Sequence, residues 1–438
     1  MVLKAKIGLL FHGPEVVDEG EAEHALDAVR KAGFEFEAAL GGITGKTAII
    51  DAGLQHVIDI SRDKKPSEVA LEFIESGIKF IILVNHAKSI DSALALGEGI
   101  LRNLLKMTSS DFSFVQAEYC CSVHGGSGVR DGGRDGGGVF IIWRLRDAHK
   151  YERLKACFGF DEMEAPSVIN RCERDADGFL RREICGVLPG EKILVNGTVI
   201  GNVSEDNKSG KITLVVKDGR IVDVEGGMLI SHNLLKLPFV DIETAIVKTG
   251  QHIRRTKPRR VGVESIKLAD DRKKACIFHT VEKLFPRISK GDVAIVITVG
   301  DDTTSIAGDI LKRFEDIRLI GITDGDADGL IEGINTGSIE EYGNFLPRNS
   351  IVIRLKPERD DVIAEHIKSE IFKDGDEIPI DDVDDAFEKI KRRIFCVASD
   401  DIVGVISSES PGEADKMFEE CPMKFEECTM NGEERDER

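Results

Sequence analysis

The stretch Val293-Ala294-Ile295-Val296-Ile297-Thr298-Val299-Gly300-Asp301-Asp302-Thr303-Thr304 decides the fold. An unbroken apolar and β-branched run from Val293 to Val299 suits a strand buried on both faces. Gly300-Asp301-Asp302-Thr303-Thr304 then turns the chain into a helix expected from about Ser305 to Phe314. A second apolar run, Leu319-Ile320-Gly321-Ile322-Thr323, closes on Asp324-Gly325-Asp326-Ala327-Asp328. Strand, helix and strand at this spacing imply a parallel sheet, and both strand ends deliver an acidic turn to its carboxyl edge. In open parallel sheets ligands bind at that edge.

The first third of the chain repeats the pattern. Strands are expected at Ile7 to Phe11, Phe34 to Leu40, Val57 to Ile60, Phe80 to Val84, Phe112 to Ala117 and Val139 to Trp143. Amphipathic helices are expected at Glu21 to Lys31, Pro66 to Ser76 and Ser89 to Lys106, with a short one after Gly41-Gly42-Ile43-Thr44-Gly45-Lys46-Thr47. Between the two α/β regions the grammar changes. Lys192 to Val203 reads as strands about an Asn-Gly turn, and Lys211 to Val224 as a hairpin about Lys217-Asp218-Gly219-Arg220. From Val240 a helical period is expected to return, with Ile242, Ala245, Ile246 and Thr249 on one face. Late strands are expected at Phe395 to Val397 and Ile402 to Ile406. The expected fold class is therefore α/β: two Rossmann-like parallel-sheet units flanking a small antiparallel β module. The boundaries read as 1–145 for the first unit, with a Gly-rich loop at 125–138, then a charged connector at 146–184. The β module follows at 185–235, the second unit at 236–406 and an acidic tail at 407–438.

Composition narrows the function classes. Of 438 residues, 41% are hydrophobic and 32% charged, and the net charge of −20 argues against nonspecific binding to nucleic acid or an anionic membrane. The longest apolar runs fall short of the roughly 18 residues a membrane span needs. The nine cysteines form no CxxC pair, so a zinc ribbon is not expected, and the absent signal-peptide pattern points to reduced thiols in a cytoplasm. Cys120-Cys121 with His124 fits a strand end better than a chelate. Arg254, Arg255, Lys257, Arg259 and Arg260 form a basic patch that fits a solvated helix end or an anion clamp.

Candidate site residues fall in two groups. Asp302, Asp324, Asp326 and Asp328 are hard oxygen ligands suited to Mg²⁺, with Asp301, Thr303 and Thr304 beside a phosphate-bearing ligand. The same residues also fit ordinary helix caps and Asp-Gly turns. In the first unit, Gly41, Gly42, Gly45, Lys46 and Thr47 could cradle an anion with backbone N–H groups. They do not form a true P-loop, because Leu40 stands where the first glycine is required. His12, Asn85 and His86 close strands where a doubly wound sheet opens, and Lys88 follows as a charge to balance an acidic ligand.

Several motifs in order carry a resemblance: Phe11-His12-Gly13-Pro14-Glu15-Val16, Gly41 to Asp51, Val84-Asn85-His86-Ala87-Lys88, Gly300 to Thr304, Ile322 to Asp326 and Arg359-Asp360-Asp361. Together they resemble an uncharacterised protein family of methanogenic and related archaea. The resemblance implies an archaeal cytoplasmic protein and brings no activity with it. The Gly125 to Gly138 loop and the stretch around Arg259 to Asp271 look like additions to the family pattern.

The leading expectation is a protein that binds, and in one version transforms, a phosphorylated or carboxylated small molecule at the acidic turns of the second unit. The alternative is a non-catalytic assembly or regulatory factor that docks a protein partner or a second copy of itself. No catalytic residue is singled out.

Overall fold

A computed structural model describes residues 6–119, 137–166, 172–196, 198–235, 237, 239–250, 256–257, 259, 274–281, 284–288, 291–314, 317–324 and 346–407, with the backbone alone at His232 and Asp302. Expectations for Cys120, Cys121, His124, most of the Gly-rich loop, Arg254, Arg255, Arg260, Asp326, Asp328 and the acidic tail lie outside the described residues. The chain divides into two units, Met1–Val263 and Glu264–Arg438.

The first unit opens with β1 (Lys6–His12), α1 (Glu15–Asp18), α2 (Glu21–Lys31), β2 (Glu35–Leu40), α3 (Lys46–Asp51), α4 (Pro66–Glu75), β3 (Phe80–Asn85), α5 (Ile90–Met107) and β4 (Ser113–Glu118). It continues through β5 (Val139–Arg144), α6 (Ala148–Phe158) and β6 (Asp161–Glu164). The strands form a six-stranded sheet in the order β2-β1-β3-β4-β5-β6, parallel from β2 through β4, with β5 antiparallel to β4. One face buries Phe11, Leu26, Val29, Phe80, Ile82 and Val84, and the other buries Phe73, Ile81, Leu83, Leu104 and Phe114. Each such side chain contributes roughly 1.5–3 kcal/mol by leaving water. The helices start and stop on local signals. Ser89 accepts from the Ser92 backbone N–H at 3.2 Å to open α5, and Asp147 accepts from the Lys150 N–H at 3.0 Å to open α6.

The described parts of the stretch expected to be a connector, 146–166 and 172–184, are structured. α6 packs on α2, and β6 lies at the edge of the first sheet. The expectation missed it because Tyr151, Leu154 and Phe158, the buried face of α6, are diluted by charged neighbours. Val57 to Ile60 forms no strand. Asp59 makes only an isolated bridge to Ala39.

The β module begins at β7 (Cys172–Arg174) and β8 (Leu180–Cys185). It adds β9 (Lys192–Val195), β10 (Thr198–Val203), β11 (Lys211–Lys217), β12 (Arg220–Glu225), β13 (Gly227–Leu229), α7 (Ser231–Leu234) and β14 (Val247–Gly250). Two four-stranded antiparallel sheets, β13-β10-β9-β14 and β12-β11-β8-β7, share one core that includes Ile193, Val195, Ile200, Ile212 and Leu214. The expected hairpins are present, and Asp218 and Gly219 both take positive φ (51° and 75°) between β11 and β12. The helical face expected from Val240 is a correction. Asp241 holds a turn by accepting from the Glu243 N–H and the Thr244 hydroxyl, and the chain then runs as β14 beside β9. The side-chain spacing fitted a helix, but Asp241 offered the backbone a competing turn and Val247 and Thr249 suit a strand.

The second unit contains β15 (Lys274–Phe278), α8 (Leu284–Ile288), β16 (Val293–Val299), α9 (Asp301–Leu311), β17 (Arg318–Thr323), β18 (Ile351–Leu355), α10 (Asp360–Glu370), β19 (Glu377–Pro379), α11 (Val383–Ala398) and β20 (Ile402–Ser407). Its six-stranded sheet runs β19-β15-β16-β17-β18-β20, with β15 to β18 parallel and the two edge strands antiparallel. Phe395 to Val397, expected as a strand, lies inside α11. Asp382 caps that helix, and Phe387, Ile390, Ile394 and Ala398 line its buried side at helical spacing. The class is thus mixed α/β, with two mainly parallel sheets and two antiparallel ones.

Candidate functional site

The first sheet reverses its strand order between β1 and β3, since β2 is added on one side of β1 and β3 on the other. Such a switch point opens a crevice beyond the carboxyl ends of the strands. His12 and Asn85 are register partners at those ends, and the His12 Nδ1 lies 3.1 Å from Asn85 Oδ1.

Behind this pair is a polar cluster inside the sheet. Glu118 is wholly buried, and its Oε2 accepts from Asn85 Nδ2 and Gln116 Nε2, each at 2.8 Å. Its Oε1 accepts from the Ala87 backbone N–H at 2.7 Å. Gln116 also donates to the Ala93 carbonyl at 3.1 Å and accepts from the Trp143 indole at 2.9 Å. Gly97 in α5 leaves room for this contact: a Cβ there would lie 2.2 Å from Gln116 Oε1 and 2.5 Å from the Trp143 ring. Burying an amide or a carboxylate without partners costs several kcal/mol, so the bonds among these residues are obligatory rather than ornamental.

Electrostatics set the charge of His12. Burial lowers its pKa from the ordinary 6.5, the Asn85 bond opposes, and Lys248 of β14 adds to the lowering while Glu15 opposes. Neutral imidazole is the favoured form at pH 7. Among the described residues Lys248 is exposed and takes no ion-pair partner. His86 is different. Burial works against its charge, but Glu21, 2.8 Å away, outweighs burial and raises its pKa, while burial raises that of Glu21. Next to them, burial holds the Tyr119 hydroxyl well above its ordinary value, where it meets His24 Nδ1 at 2.9 Å.

The remaining expected residues of the first unit make the following contacts. Lys88 is bonded to buried Glu191, and it also donates to Thr249 Oγ1 at 2.8 Å, so it ties the start of α5 to the β module. Lys46 is buried against Asp63, and burial lowers its pKa. Gly41 and Gly45 are packing positions: a Cβ on the first would meet Pro66 at 2.7 Å, and on the second the Gly13 carbonyl oxygen at 2.7 Å. Gly42 holds φ of +87°, and Thr47 is buried. The described member of the basic patch with a defined partner is Arg259, which pairs with Glu23 at 2.7 Å.

In the second unit, Asp301 and Asp324 stand at the ends of neighbouring strands, both buried. Asp324 accepts from the Glu358 backbone N–H at 2.6 Å and so braces the turn after β18. Thr304 is buried with its hydroxyl 2.9 Å from that of Thr298, and its methyl packs where Gly321 leaves space. Thr303 reaches the His279 carbonyl at 3.4 Å. Among the described residues no group of three or more His, Cys, Asp or Glu stands together as a metal site. Also among them, no helix is long and apolar enough to cross a membrane.

Sequence reasoning missed Gln116, Glu118, Trp143 and Lys248. A signal for the first two was present, because polar residues at alternate positions interrupt the apolar strand Phe114-Val115-Gln116-Ala117-Glu118. No solved structure matches the chain. An uncharacterized protein of Methanocaldococcus jannaschii is 33% identical over 367 residues, covering 82% of this chain and 89% of the relative. A family model described as "Uncharacterized protein conserved in archaea" matches residues 9–375, from within β1 to beyond α10. With both likenesses spanning most of its length, the chain belongs to that archaeal family.

Proposed function

We propose that the first unit binds a phosphorylated or carboxylated small molecule at the carboxyl edge between β1 and β3, in a Rossmann-like, doubly wound setting. One observation carries this: the reversal of strand order falls at His12 and Asn85, the outermost members of a buried polar chain. Lys248, whose charge bears on His12 from the β module, supplies the cation for an anionic group. This moves the favoured site from the second unit, where Asp324 and Thr304 hold backbone and side chain together, to the first.

The experiment is a melting titration of the whole chain with inorganic phosphate, sugar phosphates, nucleotides and citrate. At least one anion should raise Tm, and Lys248→Ala should weaken that response at least tenfold in ligand concentration. An unchanged Tm with all of them in the wild type would defeat the proposal.

A second role has its own support. Met228 is 62% exposed, Leu235 83% and Phe239 71%, all in the β module. Exposed apolar residues of this size fit a surface that docks a protein partner. Co-purification of a stoichiometric partner, lost in Phe239→Ser, would favour that role.

A further inference from the structure

The protons of the buried chain can be assigned because it begins at a group with no choice. An indole N–H only donates, so the Trp143 contact fixes Gln116 Oε1 as the acceptor and turns its NH2 toward Ala93 and Glu118. The carboxyl group of Glu118 then meets N–H donors from Gln116, Asn85 and Ala87, which is the environment of a carboxylate. Asn85 must therefore direct its NH2 at Glu118 and its carbonyl oxygen at His12. An amide oxygen only accepts, so His12 carries its proton on Nδ1. Its Nε2 is left with a free lone pair, and among the described residues it has no hydrogen-bond partner.

We propose that His12 Nε2 is the general base of this site and takes a proton from a hydroxyl group of the bound phosphorylated or carboxylated molecule. This rests on the binding role stated above and adds a reaction to it. In the step, the ligand O–H bond breaks and its electron pair stays on oxygen, while an N–H bond forms at Nε2. The imidazolium keeps its Nδ1–H on Asn85, whose amide is aligned by the Glu118 carboxylate. Lys248 opposes the new charge on the ring and favours the anion left on the ligand. The proton returns from Nε2 when the product oxygen is neutralised. Asn85, Glu118, Gln116 and Trp143 are positioning residues, because they act on the ligand only through His12. The bond pattern also fits a metal-bound histidine, but the described residues bring no second and third ligand to it.

The test needs no ligand. Long-range ¹H–¹⁵N correlation spectra of the full chain at neutral pH should show His12 with a protonated Nδ1 and an unprotonated Nε2. Asn85→Ala should return it to the Nε2–H form that dominates for free imidazole side chains, whereas Trp143→Phe should keep the Nδ1–H form, because the Ala93 carbonyl still fixes the Gln116 NH2. Diethyl pyrocarbonate, which acylates unprotonated imidazole nitrogen, should modify His12 at a rate whose pH midpoint lies below 6.5. That midpoint should fall further below 6.5 in Asn85→Ala, because the Asn85 bond supports the charged ring.

A protonated Nε2 in the folded wild type overturns the base whether or not the variants fold. Zinc or cobalt binding that broadens His12 at micromolar metal overturns it in favour of a metal ligand. The binding role fails separately. If Nε2 is bare but no anion shifts Tm, the proton assignment stands and the substrate class falls. If phosphate binds through Lys248 while Nε2 holds the proton, the base alone is lost.

Discussion

In the first sheet the chain leaves β1, adds β2 on one side and then β3 on the other; in the second, β15, β16, β17 and β18 follow in spatial order. Right-handed crossovers translate this into different surroundings. The reversal sends the connections of β1 and β3 to opposite sides, the arrangement in which open α/β sheets commonly bind ligands. Consecutive order gives neighbouring parallel strands no such parting, and the second sheet reverses only when the chain jumps from β18 to β19 at the far edge. The polar residues follow suit. At the first edge they are buried several deep and end on an imidazole. At the second, Asp324 braces the turn after the neighbouring strand β18 through the Glu358 N–H. Motifs of similar composition thus acquire different meanings from strand order alone.

The two sheets should respond differently to single substitutions. Lys88→Met removes the cation from the buried Glu191 carboxyl, which should cost about 3–5 kcal/mol in chemical denaturation. A loss under 1 kcal/mol would mean that the β module is not anchored to α5 through this pair. Trp143→Phe strands Gln116 Oε1 in the core and should cost about 1–3 kcal/mol. Asp324→Asn keeps an acceptor for the Glu358 N–H, so its cost should be about 1 kcal/mol or less. Mg²⁺ tests the same residue from the other side. A magnesium-dependent rise in Tm that Asp324→Asn abolishes would return the site to the second unit.

The smallest effect is in pH. The His12 pKa is lowered in the folded chain, so below 6.5 the unfolded chain binds a proton that the folded one does not. Its stabilisation is therefore complete above 6.5 and is lost as pH falls toward the folded value. His86, raised by Glu21, runs the other way: its contribution is complete below 6.5 and is lost as pH rises through its folded pKa. Replacing His12 with Gln should flatten the acid side of the stability profile, and His86→Gln the neutral side. Identical profiles for the two variants would contradict both environments.

Much of the fold was legible because local chemistry fixes it. The apolar runs at Val293 to Val299 and Phe80 to Val84 became buried strands, and Asp218-Gly219 became the turn its φ preferences favour. Less of the site was legible. Lys88 and Glu191 are 103 residues apart, and no spacing rule joins them. Strand order, which decides where a crevice opens, is set by long-range packing that periodicity does not encode. The polar pair Gln116 and Glu118 was visible as an anomaly, yet its purpose required knowing that Asn85 and Trp143 lie on the strands at either side.

Gly97 draws these threads to a helix well behind the strand ends. Glycine weakens a helix by roughly 0.5–1 kcal/mol against alanine. Here even a methyl group would collide with the indole and the amide oxygen it anchors. Enlarging α5 by one methyl group would therefore displace the Trp143–Gln116 contact that leads through Glu118 to Asn85, so shape alone holds this helix position to glycine.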